Sequence, residues 1–436
     1  MKQTDIIIIG AGAAGLMAAR KLARAGKKVI VLEARNRCGG RIHTIDKESF
    51  FRHAELGAEF VHGNLPVTLN LLDEAGINYY PATAEMWRYQ NGKLTQESFF
   101  AEDWDLLLTR LNDLKTDTSI SDFIEQQFSD EKYDELRNTV WKFVSGYDTA
   151  DPDKASAFAL RKEWQSEDDN AQHRIIGGYC AMIKYLELEC RNAGGIINLN
   201  SPVKEVHWQA GKVTAVTAGD ITYEADQMII ALPLGVLQAE GNEKGAIAFH
   251  PAITEQSTAI NAMGFGAVIK ILLEFSEVFW TDKLSEQLAD KSLRNMGYLF
   301  SDETIPTWWT QVPQHSKVLT GWIGGPPAAE KKNAAESEML RLSLQSLGNI
   351  FNRDPEELKD KLIAFNIINW TAEPFTRGSY SYDTVAAPES RKILNVPLEN
   401  TLFFTGEYLY EGPAMGTVEA ALTSGSEVAE RIIQGS

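Results

Sequence analysis

The opening residues constrain the fold more than any other part of the chain. Ile6-Ile7-Ile8-Ile9 is a β-branched run without alternation, the pattern of a strand buried on both faces. Gly10-Ala11-Gly12-Ala13-Ala14-Gly15 follows and opens an Ala- and Leu-rich helix through Leu22. A second strand, Val29-Ile30-Val31-Leu32, ends in Glu33, which lies 18 residues after Gly15. Strand, glycines, helix, strand and acid in this order predict a βαβ unit that binds an adenine dinucleotide. Gly10 permits the tight turn, Gly12 lets the backbone approach a pyrophosphate, and Gly15 lets helix and strand pack closely. The helix N-terminus presents unpaired N–H groups and a partial positive charge to the phosphates. Glu33 is placed to bind ribose hydroxyls.

A second glycine turn follows at once. Glu33-Ala34-Arg35-Asn36-Arg37-Cys38-Gly39-Gly40-Arg41 resembles the Glu-Ala-x-x-x-x-Gly-Gly-Arg signature of FAD-binding amine oxidases. Gly39-Gly40 allows another close backbone approach, and Arg41 supplies a planar donor for phosphate. Nicotinamide enzymes need no such turn, so the resemblance selects FAD.

The chain has 436 residues, enough for two or three domains with a substantial core. Lys and Arg total 42 against 60 Asp and Glu, a net charge of −18. That balance argues against nucleic acid or an anionic membrane as partner and mildly favours cationic substrates. Three cysteines, Cys38, Cys180 and Cys190, give no disulfide framework and fit a reducing, cytoplasmic compartment. Cys180 and Cys190 fall in one predicted helix, as buried apolar residues. The first strand starts too near Met1 for a secretory signal to precede it. No stretch reaches the length of a membrane helix, and no tail like that of the monoamine oxidases is expected.

Residues from about 100 to 190 read mainly as helices. Strands are predicted at Ile196–Leu199, Val203–Trp208, Val213–Thr217, Met228–Leu232, Val268–Phe275, Val318–Ile323 and Thr401–Phe404. Helices are predicted over Ala328–Phe351 and Gly416–Ile433. The expected class is α/β: a Rossmann-like FAD-binding domain (glutathione-reductase-like) with a second α+β substrate domain and a helical insertion. The FAD-binding domain is expected to be discontinuous, over 1–80, 196–262 and 392–436. The substrate-binding domain takes 81–195 and 263–391, with loops 233–262 and 376–398 as crossings.

Nearly the whole chain resembles the flavin-containing amine oxidase family, with polyamine oxidases and histone-lysine demethylases as the nearest branches. Besides the N-terminal blocks, the resemblance rests on Ser201-Pro202-Val203-Lys204, Ala231-Leu232-Pro233-Leu234-Gly235-Val236-Leu237 and Gly264-Phe265-Gly266-Ala267-Val268-Ile269-Lys270. It continues in Trp370 with Gly378-Ser379-Tyr380-Ser381, in Thr405-Gly406-Glu407 and in Gly416-Thr417-Val418-Glu419-Ala420-Ala421. The resemblance implies cofactor contacts from Gly10, Gly12, Ala14, Gly15, Glu33, Ala34, Arg35, Gly40, Arg41, Gly57, Ala58, Val203, Trp370, Gly406, Glu407, Thr417 and Val418. It places Lys270, Tyr380, His62 and Thr417 at the reaction site, and it implies no metal.

Lys270 interrupts an apolar run. Taken alone, the strand reads more simply as an edge strand with the ammonium in water. The resemblance reverses this and puts the lysine, through a water, beside flavin N5, where it assists reaction with oxygen. Tyr380 is implied over the amine path, although Tyr382 on the same face would equally fit a core strand. His62, in Phe60-Val61-His62-Gly63, is either a substrate partner or a structural histidine. Glu59 either pairs with a distant ammonium or faces solvent. Trp280, Trp308 and Trp309 read as core aromatics.

Three departures refine the resemblance. Ser379 stands where monoamine oxidases carry the cysteine that bonds flavin, so FAD is expected to be non-covalent. Thr417 replaces their second cage tyrosine. No arginine stands near Phe60 to bind an amino-acid carboxylate. The expected activity is FAD-dependent oxidation of a polyamine or other secondary or primary amine. It would give imine, then aldehyde, with O2 reduced to H2O2. The partners expected are the amine and O2, without nucleic acid or membrane, and a homodimer is compatible. A desaturase of a non-amine substrate and a non-catalytic flavoprotein scaffold are the alternatives.

Overall fold

The computed structural model describes residues 2–46, 50–82, 84–96, 103–166, 172–412 and 414–435. Parts of the predicted helical stretch, at 100–102 and 167–171, lie outside them. The first strand, β1 (Lys2–Ile9), pairs in parallel with β2 (Val29–Leu32) on one side and with Thr222–Ile230 on the other. Its isoleucines divide between the two faces. Ile6 and Ile8 pack under the helix α1 (Ala13–Arg24) and the helices Cys180–Asn192 and Val418–Gln434. Ile7 and Ile9 join Val206, Val213 and Met228 on the opposite side. Both faces are therefore covered, as a central parallel strand requires.

This eight-stranded sheet also takes Ile196–Asn198, Val203–Gln209, Lys212–Thr217, Ala248–His250 and Leu402–Phe404. Its strands come from the start, the middle and the end of the chain. A second, seven-stranded sheet is built on Val268–Phe275, which pairs with Val318–Gly324 on one side and Leu362–Asn369 on the other. The fold is Rossmann-like α/β, joined to a second mixed unit.

Several predicted elements change in detail. The stretch Ala328–Phe351 is two helices, Gly325–Glu330 and Glu336–Phe351. The presumed crossing loops carry structure of their own, in the helices Thr254–Ala262 and Ala387–Asn395. The latter has a Pro in its first turn, a start signal present in the sequence. Cys190 is buried but Cys180 is only half-buried. The helices Trp104–Asp113, Ile120–Gln127, Asp134–Gly146 and Ala157–Ser166 share a core of Leu107, Phe123, Val140 and Leu160. This helical insertion carries one wall of the site.

Candidate active site

The two glycine turns, separate motifs in the sequence, lie against each other. Gly39 N donates to Ala11 O at 2.8 Å, and a Cβ on Gly40 would sit 3.5 Å from Gly12 Cα. Gly10 has φ +103°, and a Cβ there would meet Ala231 O at 2.5 Å. A Cβ on Gly15 would meet Gly10 O at 2.0 Å, so this glycine serves the packing of α1 on β1. Gly12 differs: a Cβ there has nothing within 4 Å, because it would point into open cavity. Glu33 is buried at the end of β2 and accepts from Ala11 N at 2.8 Å and Arg35 N at 2.9 Å. It thereby fixes both turns.

A cavity of about 760 Å³ starts at this cradle. Its wall includes Gly10, Gly12, Ala14, Glu33, Ala34, Arg35, Gly40, Arg41, Gly57, Ala58, Val203, Trp370, Gly406, Glu407, Thr417 and Val418. Gly15 alone of the expected cofactor residues stays behind the wall. Arg41 is held by Glu407 and by Ser379 O, each at 2.7 Å, so the N-terminal turn and the C-terminal block are locked together. Thr417 caps the helix Val418–Gln434: its hydroxyl accepts from Ala420 N at 3.3 Å and donates to Ala414 O at 2.6 Å. That helix and α1 both begin at the cavity, giving two N-termini for an anionic ligand. The open space at Gly12, the acid at the end of β2 and these helix ends fit a dinucleotide.

Lys270 lies on a strand paired on both sides, so the edge-strand reading fails. Its side chain is 1% exposed. Burying an ammonium costs several kcal/mol unless a carboxylate and further hydrogen bonds offset it. Here Nζ donates to Glu59 Oε2 at 2.6 Å and to Gly57 O at 3.0 Å, and lies 5.4 Å from the Trp309 ring centre. Glu59 does not face solvent. Its other oxygen accepts from Arg174 Nη1 at 2.5 Å and Trp309 Nε1 at 3.1 Å. Burial alone would push this carboxyl up, but Lys270 and Arg174 outweigh it and hold it down at about 2. Trp309 is thus a wall residue, unlike Trp280 and Trp308, which stay in the core.

The arginine missing from the sequence near Phe60 arrives in space. Arg174 stacks 4.4 Å over the Phe60 ring. Its guanidinium is committed to Glu59, Gln311 Oε1 and Thr310 O, and does not line the cavity. Glu419 fixes the start of the helix Pro66–Glu74 by accepting from Val67 N at 2.9 Å and Thr68 N at 2.6 Å. The short strand before it, Val61–His62, carries His62 onto the cavity wall. Burial pushes the His62 imidazole down to about 4, against the pull of Glu59, so it is neutral at pH 7. Its Nδ1 has no hydrogen-bond partner among the described residues.

Tyr380 also reaches the wall, and its hydroxyl donates to Tyr147 O. Tyr382, by contrast, packs on the helical insertion and Gly264. Two carboxyls that sequence reasoning missed line the cavity near Tyr380. Asp148 follows the helix Asp134–Gly146 and Glu163 lies on Ala157–Ser166. Burial first, then the charge of Asp383, pushes Glu163 up to about 7, against a hydrogen bond with Asp148. A smaller pocket beyond Tyr380 is lined by Asp148, Glu163 and Asp383 together. One further cluster, Glu205, His207 and His250, lies apart at the sheet edge. Its imidazole rings stack at 4.8 Å and 22°.

The fold and this site define a dinucleotide-binding protein with a buried ion-pair cluster and an acidic cavity end. The family model for flavin containing amine oxidoreductases matches residues 13–433, and the chain belongs to that family. FAD is accordingly the dinucleotide the cradle takes. The chain is 27% identical to lysine-specific histone demethylase 1 homolog 3 of Arabidopsis thaliana, over 99% of this chain and 30% of the relative. It is 26% identical to polyamine oxidase 4 of Oryza sativa subsp. japonica, over 98% of this chain and 89% of the relative. A solved structure of putrescine oxidase with putrescine superposes at a TM-score of 0.80 with 22% identity, over 99% of each chain. The chain spans only 30% to 50% of the length of the first demethylases it matches.

Proposed function

We propose that the protein is an FAD-dependent oxidase of diamines or polyamines. The observation that carries the substrate class is the Asp148–Glu163 pair on the cavity wall near Tyr380. A substrate with a second, charged nitrogen leaves water only for a site that offers a carboxylate. A monoamine has no use for that pair.

FAD, when bound, supplies the two-electron acceptor for oxidation at the carbon beside the nitrogen. The chain's residues bind and orient the amine. Tyr380 offers an aromatic face along the path to the reacting nitrogen. His62, neutral at pH 7 and on the cavity wall, offers its imidazole to the substrate. Phe60, Tyr298, Trp309 and Trp322 exclude water from the carbon chain. Lys270 keeps a positive charge at the wall where oxygen is reduced. The balance is amine, O2 and water to aldehyde and H2O2, with ammonia released from a primary nitrogen or a smaller amine from a secondary one.

The same reading holds FAD without a covalent bond, because Ser379 offers only a hydroxyl. It takes 1–80, 196–262 and 392–436 as the FAD-binding domain, with 81–195 and 263–391 for substrate. It places the protein in the cytoplasm, with the amine and O2 as partners and a homodimer as a compatible state. Among the described residues no helix is long and apolar enough to cross a membrane.

The test is anaerobic mixing of the yellow protein with spermidine, spermine, N-acetylspermine, putrescine, benzylamine, tryptamine and L-amino acids. Bleaching of the flavin by the di- and polyamines is expected, with recovery and H2O2 when air is admitted. Bleaching by benzylamine or an amino acid alone would refute the substrate class. No bleaching at all would refute the oxidase.

A further inference from the structure

We propose that Glu59 is a positioning residue that fixes the Lys270 ammonium at the cavity wall, and that Arg174 fixes Glu59 in turn. The role of Lys270 itself rests on the oxidase reading above; the clamp rests on geometry.

The three groups are drawn from distant parts of the chain. Glu59 follows Gly57, Arg174 lies on the strand Gln172–Ile175, and Lys270 lies on Val268–Phe275, an inner strand of the second sheet. One carboxylate serves two cations: Oε2 takes Lys270 at 2.6 Å, and Oε1 takes Arg174 at 2.5 Å. All three side chains are less than a tenth exposed. Each group makes a further hydrogen bond, while Arg174 Nε has no partner among the described residues. Trp309 Nε1 donates to Glu59 at 3.1 Å, Arg174 donates to Thr310 O at 3.1 Å, and Lys270 donates to Gly57 O at 3.0 Å.

Lys270 has few other charges around it. Glu55, from the same segment as Glu59, acts on it through space while held by Tyr179 N and Thr44 Oγ1. The flanking strands set Trp322 and Ile368 beside it in register, neither of them charged. Glu59 is therefore the carboxylate in contact. Without it two buried cations would face each other. The ammonium would then turn away from the wall, because a buried cation without its counter-charge is strongly disfavoured.

Glu59 lines the cavity, so an isolated effect on turnover would not separate clamping from a direct role. A double-mutant cycle does. Glu59→Gln, Lys270→Met and the double variant are reduced with dithionite, which removes any dependence on the amine, and their reoxidation by O2 is timed. We expect Glu59→Gln to slow reoxidation about tenfold or more. The double variant should be no slower than Lys270→Met, within about twofold. The second readout is thermal unfolding of the apoprotein, where charge arithmetic predicts an order. Lys270→Met leaves the Glu59–Arg174 pair, the double variant leaves Arg174 alone, and Glu59→Gln leaves two cations. Unfolding temperature should fall in that order.

Reoxidation of Glu59→Gln at the parent rate, or losses that multiply in the double variant, would overturn the clamp. If Glu59→Gln does not fold, Glu59→Asp keeps the charge one methylene short, and undiminished reoxidation in it would overturn the clamp as well. Parent-rate reoxidation of Lys270→Met would instead remove the assigned role of Lys270, whichever unfolding order is found.

Discussion

At the scale of single residues, the site is set by where desolvation wins and where it loses. It wins at His62, whose imidazole is held at about 4. The folded value is below the unfolded one of about 6.5, so the unfolded chain binds the extra proton between those values. His62 therefore costs stability as pH falls from about 6.5 towards 4. His62→Gln should remove part of the acid sensitivity in that window, and NMR of the His62 ring should show no titration near 6. Desolvation loses at Glu59, held at about 2. That group contributes stability above about 4.5, lost as pH falls towards 2. At Glu163, raised to about 7, the consequence concerns binding. A distal ammonium prefers the ionised carboxyl, so the Kd of a diamine should fall as pH rises through 7, and Glu163→Gln should abolish that step. A charge in an apolar run drew notice to Lys270, but the run alone read as an edge strand, and only the family resemblance placed the lysine at the site. Its partners were not legible: Glu59 and Arg174 are 115 residues apart, and only folding brings them together. Asp148 and Glu163 were lost among 60 acidic residues whose sequence context is that of solvated helix faces.

At the scale of elements, the glycines of the first turn separate two demands that the motif merges. Gly15 is filled from behind, by Gly10 O at 2.0 Å from its missing Cβ, whereas Gly12 is empty in front. Gly12 also has φ −76°, a value any residue adopts. Gly12→Val should leave the apoprotein with its normal unfolding temperature but without FAD. Gly15→Val should lower the unfolding temperature of the apoprotein itself, since α1 must lift from β1. Equal unfolding temperatures for the two variants would contradict this division. The N-terminal βαβ unit was readable because its strands, turn and helix are neighbours in sequence. Much of the second sheet was not. Glu85–Gln90 mixes polar and apolar residues, and Leu362–Asn369, six of its eight residues apolar, does not alternate. Leu362–Asn369 is a strand because it pairs with Val268–Phe275, roughly a hundred residues away. No local periodicity records such a partner.

At the scale of the whole molecule, one cavity is walled by both sheets and the helical insertion. The Arg41–Glu407 ion pair ties the first turn to the C-terminal block beside it. Ligand binding to such a wall stabilises all of its parts at once, by about 2.7 kcal/mol when free ligand is a hundredfold above Kd. FAD should therefore slow amide exchange both in the first forty residues and in the helix Val418–Gln434. Protection confined to one of them would contradict a shared cradle. The central claim, an oxidase whose acidic cavity end takes a second ammonium, is tested most directly with a matched pair. Putrescine and n-butylamine are mixed anaerobically with the protein and with Glu163→Gln, and flavin bleaching is followed against amine concentration. A charge-assisted contact of about 1.5–3 kcal/mol predicts roughly ten- to hundredfold tighter use of putrescine by the parent, a preference lost in Glu163→Gln. Equal use of the two amines by the parent, or a preference that survives in Glu163→Gln, would contradict it.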